Sequence, residues 1–254
     1  MRLLFLGNSD TLGAGLEHLE DSYPQLVLRA LQEALPGQEH EVTVHALMPT
    51  PTAADWAEKV CRQVVPDVVV LRLTGYQVLA TVDARIHRLF PRLYPYYARL
   101  RDLLATTLNA PGRAHWQQQL YSALRSLLRG IVGAEPPVSS ETTAEIYCAI
   151  VRRLAALETL SVIVMTISIL HSQTLQQHPG ARRNIDLLYD LIRACGQRTH
   201  VSFLDVAGPS DGSDDALFQP DALHGNEAGH RQKADLLLPH LLALDPSSAA
   251  KAKT

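Results

Sequence analysis

Four short apolar runs, rich in Val, Ile and Leu and closed by turn residues, recur along this chain with helical patterns between them. They span residues 2–7, 67–73, 161–168 and 201–206, and hydrophobicity this continuous marks strands covered on both faces. A fifth run, 41–47, alternates Val42, Val44 and Ala46 with polar neighbours, as a strand nearer a sheet edge does. Between the runs, residues 22–35 set Leu26, Ala30 and Leu31 on one helical stripe, and residues 53–64 do the same with Trp56, Val60 and Val64. The later helices, 184–195 and 226–244, each open on an Asn suited to an N-cap. Strand and helix alternating in this way specify an α/β fold, a parallel sheet with helices on both faces. Ligands on such sheets bind beyond the carboxyl ends of the strands. Function is therefore sought in the loops 7–15, 48–52, 74–77, 168–173 and 207–224.

The stretch 78–160 is too long for one crossover. It reads as helices over 83–108, 113–131 and 140–157, broken at Pro111 and at Pro136 and Pro137, with Ser139 or Ser140 as a cap. Part of it must be the crossover helix; the rest is a helical insertion that forms a lid or side wall for a pocket, or else a scaffold or dimer surface. With 254 residues, 46% of them hydrophobic and 19% charged, the chain is expected to form one domain over 1–245 with a frayed tail at 246–254. A formal net charge of -3, with no Lys/Arg-rich run, argues against a nucleic-acid partner. Three distant cysteines, Cys61, Cys148 and Cys195, give neither a disulfide framework nor zinc spacing. The run Leu3 to Leu6 is too short for a signal-peptide core, and no stretch reaches the roughly 18 apolar residues of a membrane span, so a cytoplasmic location is expected.

Chemistry gathers at the two ends of the chain. Ser9 follows the first strand, where the chain must turn sharply and expose the hydroxyl at the sheet edge, with backbone N–H groups free to face a developing oxyanion. Gly7, Gly13 and Gly15 do not form a phosphate-loop pattern, so a nucleotide site is disfavoured. A serine needs a base. Asp221 lies three residues before His224 in a loop that leads into the last helix. That spacing lets the carboxylate bind one imidazole nitrogen while the other faces a serine.

Gly7-Asn8-Ser9-Asp10-Thr11-Leu12-Gly13 after the first strand, Ser22-Tyr23-Pro24 opening the first helix, and Asp221-x-x-His224 followed by Gly229-His230 stand in the order of one family. Over nearly its whole length the chain resembles the GDSL-type, or SGNH, hydrolases. The resemblance implies a three-layer α/β/α sandwich with a flavodoxin-like five-stranded parallel sheet. It implies cleavage of a small-molecule ester or thioester through an acyl-serine, with Ser9, Asp221 and His224 catalytic and no metal or cofactor. Family members complete the oxyanion hole with a Gly N–H after the second strand and an Asn in a Gly-x-Asn motif after the third. Here Met48-Pro49-Thr50-Pro51 leaves Thr50 as the N–H donor, and Gly75-Tyr76-Gln77 puts Gln77 at the Asn position. Asn8 stands where the family more usually has Asp. His171 is a further candidate, as a pocket residue or alternative base, against a plain loop histidine. Acyl transfer by the same triad and a non-catalytic binding protein on the same fold are the rival readings; a nucleotide-binding flavodoxin-like protein is a more distant one.

Overall fold

A computed structural model describes residues 1–108, 127–157, 160–167, 170–178, 180–197, 201–206, 213–221 and 223–244. The apolar runs form five strands: β1 (Arg2–Gly7), β2 (Glu41–Ala46), β3 (Val68–Arg72), β4 (Ser161–Ile167) and β5 (Val201–Val206). All pair in parallel, in the order β2-β1-β3-β4-β5. Phe5 of β1 sits between Val44 of β2 and Val70 of β3, and Val70 is in register with Ile163 of β4.

Because side chains alternate along a strand, each strand feeds two cores. On one face Leu4, Leu6, Val69, Leu71 and Val164 pack under three helices: α2 (Ala53–Val64), α5 (Ser140–Ala155) and α7 (Ala181–Gly196). On the other, Leu3, Phe5, Val68, Val70 and Ile163 lie under α1 (Tyr23–Ala34) and α8 (Glu227–Leu244). This is the three-layer sandwich expected. Helix α5, capped by Ser139, whose side chain accepts the Thr142 N–H, is the crossover part of the long middle stretch. Its Tyr147 hydroxyl accepts the Thr74 N–H at 3.1 Å and so fixes the loop after β3.

Two expected boundaries differ. The helix read over 83–108 is two, α3 (Val82–Leu89) and α4 (Tyr94–Leu108). Pro91 disfavours helical geometry at the residue before it, and Phe90 accordingly takes φ -134, ψ 59. Helix α7 begins at Ala181, after Gly180 at φ +82, so Asn184 is not its cap. The Asn184 amide donates instead to the Val78 carbonyl at 2.9 Å. Most of the helix read over 113–131 and the tail 246–254 lie outside the described residues. Helix α6 (Ser172–Gln177) follows β4. Among the described residues no helix is long and apolar enough to cross a membrane.

Candidate active site

Beyond Gly7 the chain winds into a tight turn in which the Asn8 carbonyl accepts from Thr11 N at 2.9 Å and Leu12 N at 3.2 Å. A Cβ at Gly7 would lie 2.1 Å from the Thr11 hydroxyl oxygen, so the turn closes this tightly only over a glycine. Gly13 and Gly15, at φ +77 and +87, carry the chain out of it. Ser9 is thereby held half-buried at the carboxyl edge of β1.

The second loop is shaped by its own polar groups. Asn226 caps α8 by accepting the Gly229 N–H at 3.1 Å, and its amide donates to the Ala216 and Phe218 carbonyls. One oxygen of Asp221 accepts the N–H groups of Leu223 (2.9 Å) and His224 (3.0 Å); the other lies 2.7 Å from His224 Nδ1. His224 Nε2 is 2.8 Å from Ser9 Oγ. A carboxylate can only accept, so Nδ1 carries the ring proton and Nε2 accepts from the serine hydroxyl. Burial pushes the Asp221 carboxyl up, but the bonds from the His224 ring and from the two backbone N–H groups outweigh it and hold it below the usual range. The Gln219 side chain ties the two loops together, donating to the Gly15 carbonyl at 2.7 Å.

Behind Ser9 lies a charged cluster that sequence reasoning missed. Asp10, fully buried, has Arg72 Nη1 and Lys233 Nζ each 2.6 Å from its Oδ2, and its Oδ1 accepts the Gly225 N–H at 2.8 Å. Arg72 also donates to the Asn8 side-chain oxygen. His230 Nε2 is 3.4 Å from Asp10 Oδ1, and its Nδ1 accepts the Tyr23 N–H at 3.1 Å. A nitrogen that accepts a backbone N–H carries no proton, so His230 is neutral with its proton on Nε2. Burial, with Lys233 and Arg72 adding to it and Asp10 opposing, holds the His230 pKa below 6.5.

The linkage has a definite sign. Below about pH 6.5 the unfolded chain takes up a proton at this histidine that the folded chain refuses, so stability falls as pH drops through that value. His230→Gln keeps a neutral side chain without the titration. Its melting temperature is expected to decline less between pH 7 and pH 5 than that of the parent; equal slopes would contradict the assignment.

The remaining expected residues fall into two sets. Asn8, Gly75 and His171 line a cavity of about 60 Å³ next to the Ser9–His224–Asp221 hydrogen bonds, together with Asp10, Arg72 and Lys233. A Cβ at Gly75 would lie 2.9 Å from the Ile185 side chain, so glycine there lets the β3 loop sit close on α7. His171 caps α6, its Nδ1 accepting the Gln173 N–H at 3.0 Å, so that nitrogen is engaged and His224 is the histidine at Ser9. Thr50 and Gln77 are placed otherwise. The Thr50 N–H is committed to the Met48 carbonyl at 2.9 Å, inside its own loop. Gln77 sits in the 3₁₀ turn Tyr76–Val78 outside the cavity lining, its buried Oε1 without a hydrogen-bond partner among the described residues. The Ser9 N–H also has no acceptor among the described residues. Tyr76, read only as the spacer between Gly75 and Gln77, donates its hydroxyl to the Leu223 carbonyl at 2.7 Å and roofs the gap between the two loops.

No family model and no curated protein matches the sequence. Solved structures do match. TesA is 14% identical with a TM-score of 0.58, the match covering 96% of this chain and 100% of that one. An acetylxylan esterase from Geobacillus stearothermophilus is 17% identical with a TM-score of 0.56, over 94% and 92% of the two chains. A lipase/acylhydrolase from Enterococcus faecalis is 16% identical with a TM-score of 0.56, over 95% of each. The chain has the SGNH-hydrolase fold. In the SGNH fold, strand order reverses between β1 and β3, so their following loops diverge and leave a crevice. Ser9 and the Thr74–Tyr76 segment stand on its two sides.

Proposed function

We propose that this chain is a serine esterase that cleaves a small-molecule acyl ester or thioester through an acyl-Ser9 intermediate. The observation that carries the reading is the continuous relay from Ser9 Oγ to His224 Nε2 (2.8 Å) and from His224 Nδ1 to Asp221 (2.7 Å) at the carboxyl edge of the sheet. The esterases among its structural neighbours favour the same reaction class.

As Ser9 Oγ attacks the carbonyl carbon, His224 Nε2 takes its proton, and the imidazolium formed is stabilised by the Asp221 carboxylate. The Ser9 N–H donates to the tetrahedral oxyanion. His224 then returns the proton to the departing alkoxide or thiolate. Water, deprotonated by His224, attacks acyl-Ser9; the acid leaves and the serine is regenerated. One oxyanion donor fewer costs on the order of 100- to 1000-fold. With Thr50 N–H engaged elsewhere, turnover on simple esters is expected to be slow unless binding the true substrate frees a second donor.

A fluorophosphonate phosphonylates a serine activated in this way, the Oγ–P bond forming as the P–F bond breaks and fluoride leaves. The intact protein should take one label per chain, on Ser9, and Ser9→Ala should take none. An intact chain that never labels would refute the reading in favour of a binding protein on the same fold.

A further inference from the structure

The Asp10 cluster is built for more than its own cohesion. Arg72 is 7% exposed, and its Nη1 serves both Asp10 and Asn8. Its Nε is buried, and among the described residues neither Nε nor Nη2 has an acceptor. Nε and Nη2 together form the edge of a guanidinium that grips a carboxylate with two parallel hydrogen bonds. Arg72 lines the cavity next to the Ser9–His224 pair, so a buried guanidinium edge with no acceptor among the described residues stands next to that cavity.

The charge count points the same way. Two cations, Arg72 and Lys233, face the single carboxylate of Asp10, and His230 is neutral. The Asp221 carboxylate is already paired with His224. Among the described residues the buried group therefore carries one uncompensated positive charge, which one monoanion brings to neutrality. A tetrahedral dianion would overshoot it, whereas a planar carboxylate matches both the fork and the charge. Asp10 lines the cavity too, so the ligand must meet the cluster from the Arg72 edge rather than beside the Asp10 oxygens. Part of the wall, Leu79, Leu170, Ile185 and Phe218, is apolar and suits a short hydrocarbon link.

We propose that the cavity beside Ser9 is a subsite for a carboxylate carried by the ester substrate, held by the free edge of Arg72 with Lys233 as the second positive charge. The substrate class is then a short ester bearing a carboxylate on its acyl or its alcohol part, a deepening that rests on the esterase reading above.

Two matched pairs of esters, followed by pH-stat at pH 7, distinguish the two parts. Monoethyl succinate against ethyl butanoate places the charge on the acyl side; acetoxyacetate against ethyl acetate places it on the alcohol side. In one pair the charged ester should have a kcat/KM higher by about tenfold or more. Arg72→Lys, which keeps charge but loses the fork, should bring that ratio towards one, whatever its effect on either rate. If Arg72→Lys does not fold, Lys233→Met, which removes the excess charge, should lower the ratio likewise. Binding of acetate and succinate against acetamide and butanamide, measured by calorimetry on Ser9→Ala protein, needs no turnover. Carboxylate-selective binding with no ester cleaved would overturn the esterase reading and keep the subsite. Equal ratios in both pairs together with no carboxylate-selective binding would overturn the subsite and leave the esterase standing; so would a preference untouched by the variants.

Discussion

Ser9→Ala and His224→Ala should each lower kcat/KM on a hydrolysed ester by about 10⁴- to 10⁶-fold, and the double variant should be no worse than either alone. The expectation follows from how the three groups are joined. Ser9 Oγ is a nucleophile only while His224 Nε2 can take its proton, so removing either removes the same transition-state interaction. Asp221→Asn tests the third member differently. An amide that turned its NH₂ towards Nδ1 would need that nitrogen to accept, which moves the ring proton to Nε2 and leaves Ser9 facing a donor. A loss of about 10⁴-fold is expected there without unfolding. Both measurements need parent-level melting temperatures for the variants. Additive losses in the double variant would mean that the two residues do not act as one unit.

The hydrogen-bonded arrangement of Ser9, His224 and Asp221 was legible because each half has a local signature. Ser9 follows the first apolar run, and Asp221 and His224 are close enough in sequence for one carboxylate to bind both the histidine ring and its backbone N–H. The strands were legible for a related reason: a strand buried on both faces reads as unbroken hydrophobicity, as in Val68 to Leu71. Arg72 and Lys233 were not legible, because in sequence one merely ends a strand and the other sits on the basic side of a helix. Their burial arises only when β1, β3 and α8 meet, across 223 residues between Asp10 and Lys233. An Arg directly continuing an apolar run, with an Asp just past the neighbouring strand, was the one available signal. The Thr50 N–H is turned to Met48, inside a loop that closes on itself between Pro49 and Pro51. Family position names the loop, whereas backbone hydrogen bonding within it decides which way the N–H points.

Asp10→Asn should destabilise the fold by about 3–5 kcal/mol, because it leaves two buried cations without a counter-charge. For a chain of this size that corresponds to a melting temperature lower by on the order of 10 °C. Burial alone would raise the Asp10 carboxyl, but Arg72, His230 and Lys233 hold it well below 3.8. Its contribution is therefore present above the ordinary carboxylate range and is lost only as pH falls through that depressed value. Lys233, drawn down by burial to about 8 with Asp10 opposing, is still charged at pH 7 and repels Arg72 once Asp10 is gone. Removing that repulsion should restore part of the loss, so Asp10→Asn with Lys233→Met should melt above Asp10→Asn alone. The same substitution reaches the chemistry, since Asp10 Oδ1 anchors the Gly225 N–H next to His224. At a temperature where the variant remains folded, kcat should fall more than KM rises, as a loosened base affects the transition state more than substrate binding. Thermal melts of the three proteins, with kcat and KM measured well below the transitions, check both effects. A single variant that melts with the parent would mean that the cations are not held charged against Asp10.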